Sequence, residues 1–261
     1  MMERELHQVR PGIWRIVAPN PSPMTGPGTN TYLIGQRRAL IIDPGPALDS
    51  HQQAIEDALR QLGLTSHLIV VSHRHADHSA GAVSLARRLN APLAAYQRGL
   101  GAGADYQHPL QPGQALPVDG FSLSVQHTPG HCDDHLCLWI EEARILLTAD
   151  LVAGAGTILI TPPDGDMAAY LESLRAMLAL DPALILPGHG PVIDTPRQKL
   201  QEYIDHRLRR EQQVLEAIQR GLRSAKEIAR YIYADQPAAL SLASLQVQAH
   251  LTKLEREGKL D

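Results

Sequence analysis

The chain has 261 residues, 44% of them apolar and only 4% aromatic, with a formal charge of −4; this suits one large domain with a small appendage and a core built from aliphatic side chains. No stretch approaches the roughly 20 uninterrupted apolar residues that cross a bilayer, and residues 1–10 are charged, without the apolar run of a secretory leader. A net negative chain argues against a protein coated with nucleic acid, and two cysteines, Cys132 and Cys137, cannot build a disulfide framework, so a reducing cytoplasm is the expected compartment.

The first elements read as strands. Residues 12–17 alternate apolar and polar, and 31–34 and 39–42 follow around a turn at 35–38. Asp43-Pro-Gly-Pro breaks the strand, and Asp49 and Ser50 are placed to cap a helix running to about Leu62. Residues 67–72 form a short apolar run without alternation, as expected of a strand buried on both faces. A helix near 81–89, a strand at 92–95 and a Gly/Pro-rich irregular loop over 99–113 come next. Strands are expected at 121–127, 136–140 and 144–148, a helix at 167–180, and a last buried strand at 183–187. Strands alternating with helices predict an α/β chain whose sheets are covered by helices.

Beyond Thr195 the pattern is helical throughout: one long helix over 197–219, with Leu200, Tyr203, Ile204, Leu208, Val214, Leu215 and Ile218 as its apolar positions, then helices near 224–233 and 241–258. Charge divides along the same line. Residues 197–261 hold 12 basic and 9 acidic side chains, net +3, which leaves the rest at net −7; a basic tail is a candidate polyanion contact, although solvated helix faces often carry such an excess.

The chemistry concentrates in Ser72-His-Arg-His-Ala-Asp-His, which places His73, His75, Asp77 and His78 directly after a buried strand. Imidazole and carboxylate are the ligands of a zinc site without thiolates, and iron or manganese accept the same set. In extended chain, residues two apart share a direction, which puts His73 and His75 on one ion. Asp77 and His78, in the turn into the next helix, can reach a second. Three further side chains follow strand ends: His131 in Thr128-Pro-Gly-His, Asp150 in Thr148-Ala-Asp, and His189 in Pro187-Gly-His-Gly. Each alone reads as a turn residue. Together they complete a set of five histidines and two aspartates at the strand edge where α/β sheets carry their sites.

These motifs resemble the metallo-β-lactamase superfamily, and within it the β-lactamase-like protein 2 group. The matching pieces are Met24-Thr, Gly28-Thr-Asn-Thr-Tyr-Leu, Leu40-Ile-Ile-Asp, His73 to His78, Thr128-Pro-Gly-His-Cys-Asp-Asp-His, Ala149-Asp and Pro187-Gly-His-Gly-Pro-Val-Ile, with Tyr203-Ile-Asp-His-Arg, Arg210-Glu-Gln-Gln and Leu254-Glu-Arg-Glu-Gly-Lys in the tail. The resemblance implies an αββα sandwich over residues 1–207 and a small winged-helix-like domain over 208–261. It implies two zinc ions: His73, His75 and His131 on one, Asp77, His78 and His189 on the other, and Asp150 between them. Asp43 matches an aspartate that orients a ligand, a role that competes with simple capping of the turn before Pro44.

The implied reaction is attack by a metal-bridging hydroxide, with Asp77 positioning the water. Protonation of the leaving group has no assigned residue; His127, His135 and His206 are available, each read first as structural. The resemblance implies an endonuclease acting on single-stranded RNA, with Arg207, Arg209, Arg210, Arg220, Arg223, Lys226 and Arg230 as candidate phosphate contacts. Little chain follows Lys259 to form a wing, which weakens that reading. The alternative is a small-molecule ester or thioester hydrolase similar to the glyoxalase II branch, better matched by an acidic main domain. β-Lactam hydrolysis is disfavoured by the lack of an export signal, and a non-enzymatic scaffold by the complete ligand set. Residues 26–30 are expected to form a loop beside the metals, with Thr29 and Asn30 touching substrate.

Overall fold

The computed structural model describes residues 6–96, 106–235 and 240–260. Strands β1 (His7–Arg10), β2 (Ile13–Val17), β3 (Asn30–Gly35), β4 (Arg38–Ile42), β5 (Thr65–Val70), β6 (Leu93–Tyr96) and β7 (His108–Leu110) lie in that order in one sheet. Its first three pairings are antiparallel and its last three parallel. A second sheet is made of β8 (Ala115–Val118), β9 (Phe121–His127), β10 (Leu136–Ile140), β11 (Ile145–Ala149) and β12 (Leu184–Pro187), antiparallel except for β11 and β12.

The continuous apolar runs follow from burial on both faces. In β4, Leu40 and Ile42 meet Val125, Leu138, Leu147 and Leu186 between the sheets. Ile41, between them in sequence, points the other way, onto Ile55 and Leu59 of α1 (Asp49–Leu62) and Leu85 of α3 (Ala82–Leu89). The second sheet repeats the logic: Trp139, Leu146 and Ile185 pack on Leu171 and Leu174 of α4 (Met167–Ala179) and on Leu200 and Ile204 of α5 (Pro196–Gln219). The result is the expected helix–sheet–sheet–helix sandwich. The tail has its own core, in which Val214 and Ala217 of α5 meet Ile228 and Ala229 of α6 (Ala225–Ile232) and Ala243, Val247 and Leu254 of α7 (Leu240–Arg256). Helix α5 thus runs unbroken through position 207/208, packing on the sandwich before it and on the tail core after it.

Several local expectations change. The loop expected over 99–113 contains β7, and β8 follows it; residues 99–105 lie outside the described residues. Strand β7 pairs with β6 and was invisible because its three residues, His108-Pro-Leu, carry no alternation. Asp49 and Ser50 do not cap α1; Leu48 holds the cap position without a side-chain bond, and Asp49 sits in the first turn, where its charge suits the helix dipole. Asp166 does cap α4, accepting from Ala168 N at 2.9 Å and Ala169 N at 3.1 Å. Along α5 the inward position is Arg207 at 2% exposure, whereas Leu208 is 40% exposed. Arg207 lies seven residues after Leu200, on the stripe of Leu200, Tyr203 and Ile204, so helical spacing overrules side-chain polarity there. Among the described residues, no helix is long and apolar enough to cross a membrane.

Candidate metal centre

Five strand ends converge at one edge of the sandwich. Strands β4 and β5 are parallel, as are β11 and β12, and β9, two antiparallel pairings from β11, runs the same way. Asp43, the loop from Ser72 to His78, His131, Asp150 and His189 therefore leave their strands on the same side. His75 holds the position before α2 (Ala76–Ser79) with extended dihedrals, which lets His73 and His75 share a direction before the chain coils and aims Asp77 and His78 elsewhere.

The seven expected residues form two adjoining groups: His73, His75, His131 and Asp150, and Asp77, His78 and His189. In the first, His75 Nδ1 lies 3.1 Å from His73 Nε2 and 2.8 Å from His131 Nε2. In the second, His189 Nε2 lies 3.2 Å from both His78 Nε2 and Asp77 Oδ2. Asp150 faces both: Oδ2 is 3.5 Å from His131 Nε2, and Oδ1 is 3.3 Å from His78 Nε2 and from His189 Nε2. Ligand atoms about 2.0–2.1 Å from a tetrahedral zinc stand roughly 3.3 Å apart, so these spacings suit a small divalent ion at each group. Asp150 Oδ1 is buried and not aligned for a hydrogen bond with either neighbour, an orphaned acceptor that a cation would satisfy.

The nitrogens turned away from the centre are tied down. His131 Nδ1 donates to Leu159 O at 3.0 Å and His189 Nδ1 to Gly28 O at 3.3 Å. His78 Nδ1 bonds Asp43 Oδ2 at 2.7 Å, and His73 Nδ1 lies 2.9 Å from Ser72 Oγ, which donates to the same Asp43 oxygen at 2.7 Å. Ser72 N donates to Asp43 Oδ1 at 2.7 Å. Asp43 thus orients His78 directly and His73 through Ser72, as the resemblance implied; Ser72 itself escaped notice because a serine before a histidine carries no signal.

Burial and neighbouring carboxylates act differently on the two groups. Burial pushes the His73 and His131 imidazoles below their ordinary value, so both offer lone pairs. Burial would lower His78 as well, but Asp150 and Asp43 hold it well above. His189, despite burial, is raised to about 9 by Asp150 and Asp77. Burial would raise Asp150, yet His78 and His189 keep it ionised.

None of the three candidate proton donors lines the cleft beside this centre. His135 is fully buried; its Nδ1 is 2.8 Å from Thr128 Oγ1, and its Nε2 accepts from Asp150 N at 3.2 Å. Burial holds it neutral, so it positions the Asp150 backbone. His127 stacks on Tyr96, with Nε2 2.8 Å from Asp133 O, and His206 sits on α5.

Residues 26–30 do run beside the centre, but Thr29 and Asn30 are buried. Thr29 Oγ1 donates to Asp77 Oδ2 at 3.4 Å, and Asn30 Nδ2 donates to Pro187 O and Gly190 O at 2.8 and 2.9 Å. They brace the centre and are out of a substrate's reach. Met24 lines the cleft instead, with Thr157, Ile158, Leu159, Thr161 and Asp164 around a volume of about 170 Å³. Arg74, between the first two histidines, pairs with Asp133 and Asp134 and with Asp164 of the cleft wall, and does not itself line the cleft.

Comparison with known proteins agrees with this geometry. Residues 24–189 match the Metallo-beta-lactamase superfamily and residues 224–261 the Beta-lactamase associated winged helix domain. A Beta-lactamase-like protein 2 homolog of Caenorhabditis elegans is 32% identical, over 98% of this chain and 88% of that protein. An Atrochrysone carboxyl ACP thioesterase of Aspergillus fumigatus is 32% identical, over 86% and 70%. The crystal structure of a Beta-lactamase domain protein from Burkholderia ambifaria superposes with a TM-score of 0.86 at 22% identity, covering 98% of this chain and 89% of that one. With two His/Asp groups suited to divalent metal at the edge of its sandwich, this chain belongs to the metallo-β-lactamase superfamily of hydrolases and carries that superfamily's associated winged-helix domain.

Proposed function

We propose that this protein is a binuclear, zinc-type hydrolase of esters or thioesters. His73 Nε2, His75 Nδ1 and His131 Nε2 would hold one ion, Asp77, His78 Nε2 and His189 Nε2 the other, with one Asp150 oxygen turned to each. Ions held there would supply a water activated at neutral pH and positive charge beside the carbonyl oxygen. Asp77, whose side chain is 31% exposed against 10% for Asp150, is the more open of the two metal-group carboxylates that line the cleft, and it orients the attacking water. The water oxygen bonds to the carbonyl carbon, the carbon–sulfur bond breaks, and carboxylate and thiolate depart, the two protons of the water passing to solvent.

The observation that carries this reading is the cleft lining. Among the described residues, and outside the two metal groups, it consists of Met24, Thr157, Ile158, Leu159, Thr161 and an Asp164 already paired with Arg74, with neither lysine nor arginine and with every histidine in a metal group. Such a wall suits a neutral carbonyl compound better than a polyanion. It also lacks a proton donor, which a thiolate leaving group, with a pKa of about 8.5, does not require. The name of the Aspergillus relative points to the same class of bond.

Cleavage of single-stranded RNA is the competing reading, favoured by exposed Arg209, Arg220, Arg223, Lys226 and Arg230 on the tail. Arg207 no longer belongs with them, being buried. Zinc-loaded protein offered an acyl-thioester panel and a labelled single-stranded RNA separates the two. Thioester hydrolysis abolished by EDTA and by His75→Ala is expected; metal-dependent RNA cleavage with the thioesters left intact would refute the proposal.

A further inference from the structure

We infer that helices α5 and α7 are working parts of the metal centre: Arg207 and Gln246 are positioning residues that fix the cleft segment 157–159 and, through Leu159, the orientation of His131. The inference rests on the metal assignment proposed above.

The Arg207 side chain points from α5 into the sandwich and is buried. Its guanidinium donates to Thr157 Oγ1 at 3.0 Å, to Ile158 O and to Gln246 Oε1 at 3.4 Å. Gln246, on α7, donates its Nε2 to the same Ile158 carbonyl at 3.2 Å. Ile158 O is thus gripped from α5 and from α7 of the tail. The next carbonyl, Leu159 O, accepts the proton of His131 Nδ1 at 3.0 Å. Peptide units are planar, so fixing the 158–159 unit leaves only the two soft dihedrals of Leu159 between the grip and the histidine. Thr157, Ile158 and Leu159 also line the cleft.

The rest of this connection between β11 and α4 is held from the same side. Tyr203 Oη on α5 donates to Gly156 O at 3.1 Å and accepts from Ala153 N at 3.0 Å, and Arg256 on α7 pairs with Asp166. A buried guanidinium whose three hydrogen-bond partners are all neutral is a costly way to fill space, since desolvating the charge is opposed only by those hydrogen bonds and by the Tyr170 ring, 5.4 Å from the guanidinium. An aliphatic residue would serve packing alone; it could not grip the Ile158 carbonyl.

The test titrates metal-free full-length protein with cobalt(II) alone and follows the visible absorption of the ion at the His131 group, with thermal melts in parallel. Arg207→Met and Gln246→Leu are expected to weaken cobalt at that group about tenfold and to change its absorption envelope. Ile228→Ala, which opens the tail core without touching segment 157–159, is expected to lower the melting temperature and leave cobalt binding as in the wild type. Should Arg207→Met fail to fold, Gln246→Leu decides. Wild-type cobalt affinity and spectrum in the foldable variants, or an equal loss in Ile228→Ala, overturns the inference. His131→Ala keeps the two failures apart: if it binds cobalt as the wild type does, the metal assignment itself is wrong.

Discussion

Asp43 shows how one side chain can govern a centre it does not enter. The residue is 2% exposed, and its carboxylate takes three hydrogen bonds, from Ser72 N, Ser72 Oγ and His78 Nδ1. Its backbone lies in the left-handed region at φ 51°, a conformation that asparagine tolerates and most residues do not. Asp43→Asn therefore keeps the turn but replaces one acceptor oxygen with a donor facing other donors. Zinc affinity is expected to fall about 10–100-fold, measured by competition with a chromophoric chelator, with little change in far-UV circular dichroism. Unchanged affinity would mean that Asp43 serves only the turn.

At the scale of elements, the centre depends on backbones approaching closely where the strands end. Gly130, in the turn carrying His131, has φ 131°, and a Cβ there would meet Tyr170 N and Cα of α4 at 2.3 Å. Backbone cannot yield as a flexible side chain does. Gly130→Ala is expected to destabilise by roughly 2–3 kcal/mol, lowering the melting temperature by about 5–10 °C. A melt within a degree of the wild type would show that α4 can move aside. The long helix α5 makes the other decisive contribution, because its Leu200 and Val214 belong to different cores. Its register, set by those apolar anchors, is what turns Arg207 inward.

For the molecule as a whole, the metal groups draw residues from both sheets: the loop after β5 belongs to the seven-stranded sheet, while His131, Asp150 and His189 follow strands of the five-stranded one. Bound ions would therefore tie the two layers together. Free zinc at about 100 times its dissociation constant adds about 2.7 kcal/mol of stability, which corresponds to a rise of roughly 5–10 °C in melting temperature, reversed by EDTA. Calorimetry with and without the chelator checks this. The tail contributes a pH dependence of its own. Burial would raise the Glu211 carboxyl, but its contacts with His250 and with Lys253, at 2.7 Å, bring it down to about 2. A depressed carboxylate stabilises the fold above its unfolded pKa and loses that contribution as pH falls towards its folded one. Between pH 5 and 3, wild-type melting temperature should fall more steeply than that of Glu211→Gln; parallel slopes would remove Glu211 from the account.

Much of this was legible in the chain itself. Residues whose neighbours in sequence are also their neighbours in space declared themselves: His73, His75, Asp77 and His78 share one loop, and the buried strands before them are marked by unbroken apolar runs. Asp150 and His189 were legible because each follows such a run, and His131 because it follows the alternating strand 121–127. The roles of Ser72, His135, Thr29 and Asn30 were hidden, since a hydrogen bond across the sandwich leaves no mark in local spacing. Arg207 is the sharpest case. Its residue type spoke for solvent and its position on the helical stripe for the interior, and only the packed fold, which sets neutral oxygens of segment 157–159 and Gln246 against it, decided between them.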